Sequence, residues 1–90
     1  MNDKIRLADQ LGKQLVERRQ ALGMSKSELA EKAGKTREVI YRLEAGDDST
    51  VSSLLAVVGA LGLALRLERA GLPTAAEVAS RFREEDDDAA

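Results

Sequence analysis

Leucines at positions 7, 11, 15 and 22 recur at helical spacing and predict a first helix over 7–22, with one apolar stripe and Gly23 as its stop. Ser25-Lys26-Ser27-Glu28 is a capping box, so a second helix starts there, buries Leu29, Ala30 and Ala33, and ends at Gly34. Thr36 is the next N-cap and opens a third helix over 37–44, with Val39, Ile40 and Leu43 inward and Gly46 at its end. Asp47-Asp48-Ser49 reads as a loop. Thr50 then caps a fourth helix over 51–61, whose inward set is Val51, Leu54, Leu55, Val58 and Leu61, with Gly62 as the stop. At this point the period changes. Leu63, Leu65 and Leu67 alternate with Ala64, Arg66 and Glu68, the period-two signature of a short strand. Gly71 and Pro73 interrupt the chain, Thr74-Ala75-Ala76-Glu77 forms a second capping box before Val78 and Phe82, and Glu84-Glu85-Asp86-Asp87-Asp88 reads as a solvated end.

The expected fold class is therefore all-α, with four to five short helices followed by one strand. A lone strand leaves its backbone groups unpaired, and a symmetric two-stranded pairing with a second copy would satisfy them. The chain divides into a helical domain at 1–62, a dimerisation strand at 63–71, and a short helix with an acidic tail at 72–90. Ninety residues allow a single small core, which makes association attractive.

Chemistry is narrowed by what the chain lacks. It has no cysteine and no histidine, which removes thiolate nucleophiles, imidazole bases, disulfide frameworks and Cys/His metal sites. No Gly-rich phosphate loop occurs, and the acidic clusters fall in a loop or the tail. A non-enzymatic protein without cofactor or metal is expected. Tyr41 and Phe82 are the whole aromatic inventory, too few for a base-stacking platform. Neither an apolar leader nor a run long enough to span a bilayer is present, so the expected location is the cytoplasm, away from membranes. The net charge of −2 conceals an asymmetry: residues 1–46 carry ten Lys/Arg against seven Asp/Glu, and the run 84–88 is wholly acidic.

Two short helices joined by a glycine turn, the second with Ile40 and Leu43 inward and Arg37, Glu38, Tyr41 and Arg42 outward, make the pattern of a helix-turn-helix. Residues 11–62 resemble the Xre/Cro-type helix-turn-helix family, which includes phage repressors. The matching positions are Leu11-Gly12, Leu15, Arg19, Gly23-Met24-Ser25, Leu29-Ala30, Gly34, Thr36-Arg37, Ile40, Leu43-Glu44-Ala45-Gly46 and Leu54-Leu55 through Ala60-Leu61-Gly62. The chain departs from the family at Lys26, where glutamine is usual, and at Lys35, where a small aliphatic residue is usual. Gly62-Leu63-Ala64-Leu65-Arg66-Leu67 is similar to the C-terminal strand of HipB-type antitoxins, which pairs between two subunits.

The resemblance implies double-stranded DNA as partner and the helix at 36–44 as the element that enters the major groove. Arg37 suits guanine, whose O6 and N7 accept a bidentate guanidinium, and Tyr41 would also meet DNA. Arg42 suits phosphate. Glu38 could accept from cytosine N4 or simply tolerate the site. Thr36 is first an N-cap, beside a helix end that attracts anions. Lys26, Lys35 and Ser49 are candidate phosphate contacts, with cap and loop roles as the plainer reading for Ser49 and Thr50. The family also pairs the positions of Arg19 and Glu44 structurally, with Arg19 partly exposed toward DNA. Leu63, Leu65 and Leu67 are the candidate dimer contacts. Three functions remain open: a dimeric repressor reading an inverted repeat; an antitoxin that also binds a kinase-like toxin; and an interaction module that uses the fold without DNA.

Overall fold

The computed structural model describes residues 4–70. Four helices occupy them: α1 (Ala8–Ala21), α2 (Lys26–Ala33), α3 (Arg37–Ala45) and α4 (Val51–Ala60). The short helix expected after Thr74 and the acidic run at 84–88 lie outside the described residues.

Each helix starts where the local sequence can satisfy its first amides. In α2 the Ser25 hydroxyl accepts from the Glu28 amide at 3.0 Å, and the Glu28 carboxylate accepts from the Ser25 amide at 3.0 Å. Those two bonds hold the Glu28 carboxyl below its ordinary pKa, the backbone bond most strongly. This cap's contribution to stability is therefore in place above the ordinary carboxylate range and is lost as pH falls through the lowered value. Thr36 and Thr50 cap α3 and α4 by accepting from Val39 and Ser53 amides. The first helix differs. Leu7 offers no cap oxygen, so Gln10 reaches back and accepts from the amides of Arg6 and Leu7.

The core is built from Leu15, Leu29, Ala30, Ile40, Leu43, Val57, Val58, Ala60 and Leu61. α3 packs against α1 on one side and α2 on the other, and α2 also packs on α4. Gly34, with φ of +67°, turns the chain between α2 and α3, a left-handed conformation that glycine adopts at little cost. Besides the shared core, α1 is hydrogen-bonded to the end of α4: Arg18 Nε donates to the Leu61 carbonyl at 3.0 Å, placing a cation at the carbonyl end of that helix.

Two expected apolar faces are corrected. Leu7 and Leu22 are exposed rather than part of a buried stripe, because α1 ends inside both of them and buries Gly12, Leu15 and Arg19. In α4, Val51 is 69% exposed and Leu55 is also outward, whereas Ser53, Val57 and Ala60 turn inward. That helix is apolar nearly all round, so periodicity alone does not select its buried face.

Residues 63–69 form no strand in the single chain. A ladder needs a partner strand, and none exists among the described residues. Instead Lys4 Nζ and an Arg6 guanidinium nitrogen donate to the carbonyls of Arg69 and Ala70, each at 2.6 Å, which lays the N-terminal arm against this segment.

α1 and α3 meet where neither can carry a side chain. A β-carbon at Gly12 would sit 2.9 Å from the Leu43 carbonyl oxygen and closer still to that of Glu44, while one at Gly46 would lie 2.8 Å from Asp9 Cα. Gly59, also helical, faces open space. Thermal unfolding of two variants separates these cases. Gly59→Ala is expected to gain about 0.5–1 kcal/mol from helix propensity. Gly12→Ala, despite the same gain, is expected to lose about 1–3 kcal/mol to overpacking. A Gly12→Ala protein as stable as the parent would show that the helices are not in this close contact.

Candidate nucleic-acid interface

Burying Ile40 and Leu43 turns the opposite side of α3 outward, and Thr36, Arg37, Glu38, Tyr41 and Arg42 all lie exposed there. Side chains four apart meet on a helix surface, and two such pairs form. An Arg37 guanidinium nitrogen donates to the Tyr41 hydroxyl at 3.0 Å, and an Arg42 nitrogen donates to Glu38 Oε1 at 3.0 Å. The second pair is well solvated, so it contributes about 0.3–0.5 kcal/mol and yields easily to a competing anion.

Lys26, the first residue of α2, joins this surface from the neighbouring helix. Its ammonium lies 4.0 Å from the centre of the Tyr41 ring and 3.8 Å from Glu44 Oε1. Lys35 is half-buried beside the turn. Ser49 is exposed and, with Thr36, Glu38, Arg42 and Thr50, rims a shallow cavity of about 310 Å³ between the starts of α3 and α4. The guanidinium of Arg42, the hydroxyls of Thr36, Ser49 and Thr50 and two helix N-termini thus meet around this cavity, features that suit an anionic backbone, although the carboxylates of Glu38 and Asp48 also line it.

Behind that face stands the Arg19–Glu44 pair. Arg19 Nε donates to Glu44 Oε2 at 2.7 Å and a terminal nitrogen to Oε1 at 3.2 Å, a two-pronged bond. Its other terminal nitrogen donates to the Met24 carbonyl at 2.9 Å. Arg19 is only 9% exposed, with every guanidinium nitrogen bonded inside the protein, which corrects the expectation that it partly faces a ligand. The hydrogen bond to Glu44 raises its pKa further, so the charge is permanent. One side chain therefore ties α1, the loop at Met24 and the end of α3 together.

Leu63, Leu65 and Leu67 lie apart from this face, all exposed, Leu67 at 91%. Sequence reasoning overlooked three contributors: the Gly12 contact, the bond from Arg18 to α4, and the seat of Lys26 on Tyr41. A glycine inside a predicted helix is the one advance signal among them, since it costs about 1 kcal/mol against alanine and asks for a packing reason.

A helix-turn-helix family model matches residues 15–67, more than half of the chain. The chain is a member of the Xre-type helix-turn-helix family. Its fold is similar to that of HipB in a HipA-HipB-O2-O3 complex, with a TM-score of 0.72 and 28% identity over 77% of this chain and 99% of that one. It is likewise similar to HipB with an O4 20-mer, with a TM-score of 0.72 and 30% identity over 77% and 99% of the two chains. A HipB variant with an O2 20-mer gives a TM-score of 0.73 and 28% identity over 79% and 100%. Among curated protein sequences, none matches.

In this helix-turn-helix domain the buried pair should behave as a brace. Glu44→Ala leaves a buried cation without its partner and is expected to cost about 3–5 kcal/mol in denaturant unfolding. Adding Arg19→Met to it should recover much of that loss, because the stranded charge is gone. Unfolding of Glu44→Ala within about 0.5 kcal/mol of the parent, the range of neutral surface changes, would contradict the brace.

Proposed function

We propose that this protein is a dimeric, sequence-specific DNA-binding repressor that reads an inverted repeat through α3. The observation that carries the reading is the face just described: Arg37, Tyr41 and Arg42 outward on one short helix, Lys26 beside them, and the buried brace behind. Major-groove readout needs a helix whose base-reaching side chains are exposed while its other side is fixed to a body. Arg37 has the donors for a guanine edge, Arg42, Lys26 and Lys35 meet phosphates, and Thr36 and Ser49 supply hydroxyls near the backbone.

Pairing of the segment 63–67 with its copy, burying Leu63, Leu65 and Leu67, supplies the two-fold axis. Two recognition helices would then reach half-sites about 34–36 Å apart, and occupancy of a promoter would block transcription. Such a protein works where the genome is, in the cytoplasm. No described helix is long and apolar enough to cross a membrane.

A second reading is favoured by one specific likeness. Because a similar structure is a HipA-HipB complex, this chain could serve as an antitoxin that represses its own operon and binds a HipA-like kinase toxin. Co-purification with the product of an adjacent toxin gene supports that reading, and failure of the purified pair to associate removes it.

Selection of duplexes from a random pool tests the repressor directly. An inverted repeat should emerge, with affinity falling steeply as salt rises. On that site Arg37→Ala should lose about 1–3 kcal/mol and relax preference at one base pair. Lys26→Ala should weaken all duplexes alike and reduce the salt slope by about 1. Recovery of no preferred sequence would overturn the assignment.

A further inference from the structure

The aromatic ring on the outward face of α3 lies between two cations that come from different helices. We infer that Tyr41 is a positioning residue that couples backbone attachment to base reading, by seating Lys26 on its ring and holding Arg37 by its hydroxyl. This rests on the DNA-binding reading above and adds to it a mechanism of specificity.

Three contacts make the device. The Lys26 ammonium stands 4.0 Å from the ring centre, the distance of a direct cation–π contact, while the Arg37 guanidinium carbon lies 5.4 Å away. The Arg37 nitrogen donates to the phenolic oxygen at 3.0 Å. Tyr41 is 46% exposed, so a large part of it faces outward with the two charges around it. Because the hydroxyl accepts from Arg37, its own hydrogen stays free to donate to a base oxygen.

Long cationic side chains ordinarily lose rotamer freedom when they bind. Here a rigid ring with few torsions has already restricted both. Arg37 uses one of its N–H groups on Tyr41 and keeps the others for a guanine edge. Lys26 is anchored a second time by Glu44, itself fixed by Arg19, so the ring is referenced to the body of the domain and not only to its own helix. A lysine in place of the family's glutamine thereby acquires a defined position, despite being a flexible point charge.

The consequence is a separation of effects within one residue. Tyr41→Phe removes the hydroxyl and keeps the ring; Tyr41→Leu removes both. Each is tested in the full chain on the selected duplex and on a duplex altered at the base pair that Arg37 discriminates, across a range of salt. Tyr41→Phe is expected to reduce discrimination at that base pair about fivefold to tenfold, the worth of one ordinary solvated hydrogen bond, with affinity for unrelated duplex and the salt slope unchanged. Tyr41→Leu is expected to reduce discrimination equally and also to flatten the salt slope by about 0.9, one phosphate contact. In the Tyr41→Phe background, Arg37→Ala should cost less discrimination than in the parent, since the two act together.

Thermal unfolding accompanies each variant, and a structural role alone would move melting without dividing specificity from salt dependence. Full discrimination by Tyr41→Phe, or independent effects of Tyr41→Phe and Arg37→Ala, would overturn the coupling while leaving the repressor reading intact. Absence of binding by the parent protein would instead overturn the reading on which the coupling rests.

Discussion

A buried ion pair determines where the outward face of α3 can point. Arg19 and Glu44 meet at 2.7 Å inside the domain, beneath residues that together span the turn. Such a pair adds little net stability over a well-packed apolar equivalent, because both charges lose their water. Its value lies in direction: a two-pronged guanidinium–carboxylate bond tolerates one geometry, whereas leucine against leucine tolerates several. The close approach at Gly12 works with it, since the carbonyls of Leu43 and Glu44 rest against a position with no side chain. Together they hold the last turn of α3 against α1 while its first turn is set by Thr36 and the Gly34 turn.

From that fixed frame the surface chemistry follows. Arg37 and Tyr41 are one helical turn apart and bonded, Glu38 and Arg42 likewise, and Lys26 arrives from α2 over the ring. Glu44 serves both layers, taking Arg19 from below and Lys26 from the surface side. Energetics divide accordingly. Bonds in the lower layer are shielded and expensive to break; those in the upper layer are solvated and exchange readily for an incoming phosphate or base.

Much of this was legible in the sequence because it depends on local rules. Ser25 with Glu28, Thr36, Thr50 and the turn glycine mark helix ends through backbone hydrogen bonds and left-handed dihedrals, which neighbouring residues decide. The exposed set on α3 followed from its clear two-faced pattern. Less was legible where tertiary contact decides. Val51 and Leu55 face outward because α4 has apolar residues on nearly every side, and its packing on α2 and α3 selects the buried face. The arm bonds from Lys4 and Arg6 to residues 69 and 70 join chain segments more than sixty positions apart, beyond any local pattern. For Leu63 to Leu67 the alternation predicts a strand, yet no strand pairs with it among the described residues and all three leucines lie exposed.

The claim that the braced outward face of α3 receives a double helix is tested most directly by mapping backbone amide shifts during titration with the selected duplex. The largest changes should fall at Lys26, Lys35–Arg42 and Ser49–Thr50, with the core amides of Leu15, Leu29 and Leu61 little altered. Changes confined to the arm and to residues 63–67, with α3 silent, would contradict it.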